Sequence, residues 1–267
     1  MADLLVSQIW IYPIKSLGGI SLQSAKVMPK GLEFDRRWML VDSDRKFITQ
    51  RVHSRMALFK QSLSNGQVIV TFNGHSIAIP NNTTPNDDSF KVQIWDDVVT
   101  VSEVSAEHSR WFSGHLGIDT KLVSFPENNE RRVDPKFISH EEHVSLADAY
   151  PFLIIGQSSM DDLNKRLDHK LSIRRFRPNF VFTGGEPYEE DTWKNFQIGA
   201  AEFTGVKRCA RCALPNVDPD TAEKGIEPLR TLSIYRKVDS KVFFGQNLIA
   251  LNNEEVHVGD RIILKTT

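Results

Sequence analysis

The sequence predicts a mainly β fold with a few helices, an α+β chain in two β-rich halves. Three observations carry this expectation. Short alternating or continuous apolar runs recur along the whole chain. The turn signals Asn65-Gly66 and Asn73-Gly74 fall between such runs, as hairpins require. Helical signals, by contrast, are confined to a few short stretches.

Taken in order, residues 6–12, 21–28, 37–41, 46–51 and 67–72 read as strands, and 76–79, 90–95 and 98–102 continue the pattern. Residues 80–88 are a loop by composition. Ser105 is placed to cap a helix with Trp111, Phe112 and Leu116 on its apolar face and Gly117 at its end. In the second half, Ser158 to Asp161 resembles a capping box and opens a helix carrying Met160, Leu163 and Leu167. Pro228 suits the first turn of a third short helix through Leu229, Leu232 and Tyr235. Further strands are expected at 180–183, 196–198, 201–206, 243–251 and 261–264. The polar segment 126–135 is the best linker, which divides the chain into 1–125 and 126–267. Pattern alone leaves barrel and sandwich both open.

The bulk numbers exclude several classes. With 267 residues, 40% hydrophobic and 25% charged, the chain has an ordinary globular composition. A net charge of -1 gives no global case for nucleic acid or an acidic membrane surface. The first residues lack the marks of a secretory or transit leader, and no apolar run is long enough for a bilayer. Two cysteines do not make a disulfide scaffold, so a reducing cytoplasm is the expected setting.

Those two cysteines stand together as Cys209-Ala210-Arg211-Cys212, with Lys207, Arg208 and Arg211 around them. Fixed positive charge favours thiolate, and a thiolate is a nucleophile, a redox group or a soft metal ligand. A thioredoxin-like dithiol needs a helix through the motif, which Pro219 would break, and a βαβ context. Structural zinc needs four ligands, and the eight histidines show no finger spacing. The usual iron–sulfur clusters need four cysteines. The fourth reading is one thiolate ligating a metal carried by an organic cofactor, which requires anion-binding residues elsewhere. Candidates follow strands or precede them: Lys15 and Ser16, Arg36 and Arg37, and the run from Arg174 to Asn179. Each cluster alone reads equally as a solvated face, and a buried inert cysteine is the bland reading of the pair.

The motifs Tyr-Pro-Ile-Lys-Ser from Tyr12, Asp-Arg-Arg-Trp from Asp35, Asp-Ala-Tyr-Pro-Phe-Leu-Ile from Asp148, Phe-Arg-Pro-Asn from Phe176, Cys-Ala-Arg-Cys, Phe-Gly-Gln-Asn from Phe244 and Val-Gly-Asp-Arg-Ile from Val258 occur in this order over essentially the whole chain. In them the chain resembles the molybdenum-cofactor-sulfurase C-terminal (MOSC) family. It is similar in particular to the two-part members that include the mitochondrial amidoxime-reducing component and bacterial N-hydroxybase-detoxifying relatives. The resemblance implies a β-rich N-terminal domain followed by a MOSC β-barrel domain, and a pterin-based molybdenum cofactor. It implies Cys212 as the catalytic thiolate ligand to molybdenum, with Cys209 a neighbour that is not the ligand. It further implies that Lys15, Ser16, Arg36, Asp148, Tyr150, Arg177, Asn179, Ala210 and Arg211 hold the cofactor. Two departures stand out: Pro215-Asn216 replaces a Thr-Thr pair of the mitochondrial branch, and Ala149 a Gly common in bacterial relatives.

The implied activity is reduction of N-hydroxylated bases and amidoximes, the cofactor carrying the chemistry and the protein supplying ligation and charge. No Gly-x-Gly-x-x-Gly fingerprint and no cluster-binding cysteine set occurs, so electrons are expected from a separate flavin or iron–sulfur protein. Pyridoxal phosphate, nucleic acid and a membrane are not expected partners. The competing reading is a non-catalytic cofactor carrier or a sulfur-transfer module.

Overall fold

The computed structural model describes residues 3–80, 89–137 and 141–265. It is mainly β, with three α-helices among the described residues. The central element is a nine-stranded sheet. Its order runs Ile262–Leu264, Asn195–Ile198, Ala201–Ala210, Lys241–Ala250, Phe152–Gly156, Phe180–Thr183, Leu5–Ile11 and Ile20–Leu22, with Lys237–Val238 paired beside the Lys241–Ala250 strand. All named neighbours are antiparallel except Phe152–Gly156 and Phe180–Thr183, which are parallel and joined through the Gln157–Asn164 helix. Val6 N–H donates to the Asp260 carbonyl at 2.9 Å and Ile262 N–H to the Leu4 carbonyl at 2.8 Å, so the two ends of the sheet meet and curl it into a barrel. That resolves the choice between barrel and sandwich.

The two earliest strands therefore lie in the sheet of the second half, and this sheet spans the expected division at 125/126. The N-terminal half builds two smaller sheets. One orders Trp38–Val41, Lys121–Ser124, Asp97–Glu103 and Ser89–Ile94; the other is the meander Lys60–Ser64, Gln67–Phe72 and His75–Pro80. The meander turns on Asn65-Gly66 and Asn73-Gly74, all four residues at positive φ. Phe180, Phe196, Phe203 and Trp193 fill the barrel, while Phe59, Phe72, Phe112 and Trp38 form the core of the other half.

The helix 106–116 starts and stops as expected, with Ser105 accepting from the His108 N–H and Gly117 left-handed at φ 73°. The Leu229–Tyr235 helix follows Pro228. Other expectations need correction. Residues 21–28 split into two strands that join different sheets, Ile20–Leu22 in the barrel and Ser24–Met28 beside Glu255–His257. Residues 46–51 form bridges at Lys46 and Phe47 and then turn, because Ile48, Thr49 and Gln50 are all buried and no alternation survives. The helix expected from Ser158 begins at Gln157, after Gly156, and ends before Leu167. Its first turn is served from a distance: the Glu190 carboxylate accepts from Gly156 N–H at 3.1 Å and from the Ser159 hydroxyl at 2.9 Å. Of the expected loop 80–88, residues 81–88 lie outside the described residues.

Candidate active site

Residues that the chain keeps far apart converge on one cavity of about 240 Å³ between the barrel and the N-terminal half. Lys15, Ser16, Arg36, Asp148, Tyr150, Arg177, Asn179, Ala210, Arg211 and Cys212 all line it, every residue singled out in the sequence. Local backbone brings them there. The segment after the Leu5–Ile11 strand turns sharply, and Ser16 and Arg36 sit in the left-handed region at φ 68° and 53°. Arg177 ends a short 3-10 turn at φ 55°. Non-glycine residues held there carry strain, which persists where the surroundings over-determine it.

One wall is a closed polar lattice. Asp35 is fully buried, accepts from the Tyr12 N–H at 2.7 Å and pairs with Arg36. Asn179 is also buried. Its amide donates to Asp35 at 3.1 Å and to the Trp10 carbonyl at 3.2 Å. Its oxygen accepts from Leu153 N–H at 3.2 Å and from Arg36 at 3.3 Å. With both donors and both lone pairs engaged, Asn179 serves the site by holding Arg36 rather than by offering its own side chain. The guanidinium groups of Arg36 and Arg177 lie 4.4 and 4.1 Å from the centroid of the Tyr12 ring. Burial lowers Arg177 to about 10, with Arg36 adding to the effect and Tyr12 and Asp35 opposing it. Burial also pushes the Tyr12 phenol up to about 12.

Lys15 stands beside this lattice, donating to the Leu146 carbonyl at 2.7 Å and pairing with Asp148. Burial lowers its ammonium from 10.5 to about 8, although Asp148 works to keep it charged. For Asp148 burial opposes ionisation, yet Lys15, the Trp95 indole and Arg51 together hold its carboxyl well below the usual carboxylate range. Tyr150 is buried, and burial first, then Asp134, pushes its phenol up to about 12. Lys207 lies 5.0 Å from the centre of the Tyr150 ring.

The thiol wall is less enclosed. The Ala201–Ala210 strand carries Cys209 and Ala210 to the cavity, and Arg211 N–H donates to the Val242 carbonyl at 2.8 Å, so Cys212 emerges just beyond the ladder. Cys209 is half-buried and Cys212 exposed. Each sulfur faces a different arginine. Arg211 donates to Cys209 Sγ at 3.0 Å and to the Phe176 carbonyl at 2.8 Å. Cys212 Sγ is approached instead by Arg51, at 3.6 Å, from the other half of the molecule. The sequence expectation that Arg211 flanks Cys212 is therefore refined: its guanidinium contacts Cys209.

Arg51 and Lys207 complete the lining without having been expected there as site residues. Lys207 had a signal, lying two residues before Cys209 in the cationic run. Arg51 had none, since it meets Cys212 across 161 positions. Of the departures, Ala149 lines the cavity, whereas Pro215 is buried and Asn216 accepts from Leu229 N–H at 3.2 Å at the start of the last helix.

The donor set suits an anion with a soft metal. Lys15, Arg36, Arg177, Lys207 and Arg211 line the cavity against the single carboxylate of Asp148. The Tyr150 hydroxyl and Arg211 Nε are buried with no hydrogen-bond partner among the described residues. Buried polar atoms of this kind call for a ligand or ordered water.

Residues 3–119 match the model of the MOSC N-terminal beta barrel domain, and residues 141–263 that of the MOSC domain. The chain belongs to the MOSC family. Among MOSC proteins it is 34% identical over 252 residues to mitochondrial amidoxime reducing component 2 of Rattus norvegicus, covering 89% of this chain and 74% of that one. It is 30% identical over 280 residues to mitochondrial amidoxime-reducing component 1 of Homo sapiens, covering 97% and 82%. It is also 31% identical over 268 residues to the molybdenum cofactor sulfurase of Arabidopsis thaliana, covering 90% of this chain but only 32% of that longer protein. No helix among the described residues is long and apolar enough to cross a membrane.

Proposed function

We propose that this MOSC protein is a molybdenum-cofactor-dependent reductase that removes oxygen from N-hydroxylated substrates, amidoximes and N-hydroxylated bases. The observation that carries the reading is Cys212: an exposed thiol at the mouth of a cavity walled by buried cations. Its likeness to amidoxime-reducing components supports the choice of substrate class.

When bound, the pterin-held molybdenum would supply two-electron redox chemistry and a site that accepts oxygen. Cys212 supplies the thiolate ligand, soft sulfur matching the metal. Lys15, Arg36, Arg177 and Arg211 supply the charge that holds an anionic cofactor, Arg through fork geometry that suits phosphate. Asn179 and Asp35 fix Arg36, and Tyr12 separates and supports two guanidinium groups that would otherwise repel each other. Asp148 keeps Lys15 in place, and Ala210 offers backbone at the strand end. Electrons come from a separate flavin or iron–sulfur protein.

The test is molybdenum and pterin content of the purified protein, together with an assay using a reduced artificial donor and an N-hydroxylated base. Bound cofactor with turnover is the expected result. Bound cofactor without turnover would support a carrier, and protein that takes up no cofactor would overturn the reading.

A further inference from the structure

Beyond Cys212 the cavity opens into a wider cleft of about 740 Å³, lined by Phe47, Thr49, Arg51, Val52 and Trp95 among others. Among the described residues, only Arg51 and Cys212 line both spaces. The cleft is thus the part of the surface that borders the thiol without belonging to the cationic pocket.

Trp95 is in an unusual place. Ser89–Ile94 and Asp97–Glu103 pair Ile94 with Asp97, so Trp95 and Asp96 form a two-residue hairpin turn. Trp95 is held at φ 55°, a region where a bulky side chain is strained. The two meander turns of this chain meet the same demand with Asn-Gly, the ordinary solution. Core packing does not account for the Trp, since it is 37% exposed. Its ring is nevertheless fixed: the indole N–H donates to Asp148 at 3.1 Å, the Arg51 guanidinium lies 4.1 Å from the ring centroid, and Phe47 packs at 5.2 Å with a 55° tilt. A strained, exposed, immobilised aromatic at a site's edge is a feature of ligand contact.

We propose that Phe47, Arg51 and Trp95 form a platform for the planar, π-bearing body of an N-hydroxylated substrate, its polar end directed toward Cys212. The substrate class named here rests on the reductase reading; the platform itself does not. Flat aromatic amidoximes are preferred over aliphatic ones because only a π-face gains from stacking on Trp95 and from the nearby guanidinium.

The test is calorimetric titration of an aromatic amidoxime (benzamidoxime) and an aliphatic one (acetamidoxime) into wild type, Trp95→Asn and Trp95→Phe, with molybdenum content measured for each. Asn suits the turn, so Trp95→Asn folds and its melting temperature is equal to or above that of wild type. It loses aromatic affinity about tenfold while aliphatic binding barely changes. Trp95→Phe keeps the ring, loses the bond to Asp148, and retains most of the preference. Equal loss for both ligands, or no loss in Trp95→Asn, overturns the platform. Aromatic preference that disappears in Trp95→Asn, in protein that reduces no N-hydroxylated compound at all, supports the platform and overturns the reductase reading instead.

Discussion

The two walls of the cavity are built on opposite plans. On the cofactor side, Asp35, Arg36, Arg177 and Asn179 bond one another or backbone, and Tyr12 packs between the arginines. On the thiol side, Cys212 is exposed and its recorded contact is one 3.6 Å approach from Arg51. The first wall fixes positions and the second leaves room. A site that must hold one molecule permanently and exchange another needs both. Interlocked buried groups lose much when one member is removed, whereas an exposed group changes chemistry with little effect on folding.

Four experiments bear on that contrast. The largest effect is expected from Cys212→Ala, which should abolish N-hydroxy reduction with the melting temperature unchanged. The loss should exceed the roughly 10–100-fold typical for outer partners of a metal site. A large drop in melting temperature would mean that the thiol wall is structural after all. Arg177→Ala should lower molybdenum content about tenfold and destabilise the protein as well, since the Leu17 carbonyl and the Tyr12 ring lose their partner. Full metal content in that variant would separate the lattice from cofactor retention.

The third experiment uses pH. Lys15 carries its proton only below about 8 in the folded protein, so the hold of cofactor-free protein on a pterin phosphate should weaken as pH rises through that value. Its folded pKa lies below the 10.5 of the free side chain, so the same group makes folding stability rise between the two values. Lys15→Arg should flatten the binding profile, and an unchanged profile would remove Lys15 from anion binding. The smallest effect belongs to Cys209→Ala. Its sulfur accepts from Arg211, not from the residue facing Cys212, so activity should fall only a few-fold. Equal loss at both cysteines would restore a dithiol mechanism.

Much of this site was readable from sequence, for a definable reason. Lys15, Arg36, Arg177 and Cys212 lie in short motifs at strand ends, and such motifs keep their local form wherever the chain takes them. Arg51 and Trp95 were not readable, because their meaning lies in contacts with Cys212 and Asp148 from the other half. The fold divides in the same way. The helix 106–116 carries both its caps in its own sequence, and it starts and stops where they say. The Gln157–Asn164 helix borrows Glu190 for its first turn, and its start is displaced from the Ser158 signal. The Phe152–Gly156 strand went unread because it is buried at every position and so shows no alternation.

The place of Leu5–Ile11 in the barrel also has a temporal meaning. Its partner on one side is Phe180–Thr183, and Ser7 bonds Val181 across 174 positions. Ribosomes release chain from the N-terminus, so this strand emerges early and has no permanent neighbour until most of the protein has been made. The last strand, Ile262–Leu264, then meets the residues beside it to complete the ring. Closure of the barrel is thus a late event joining the first-made and last-made segments, with the slow kinetics of distant pairing. Until then, the apolar face of Leu5–Ile11 is a segment for a chaperone to shield.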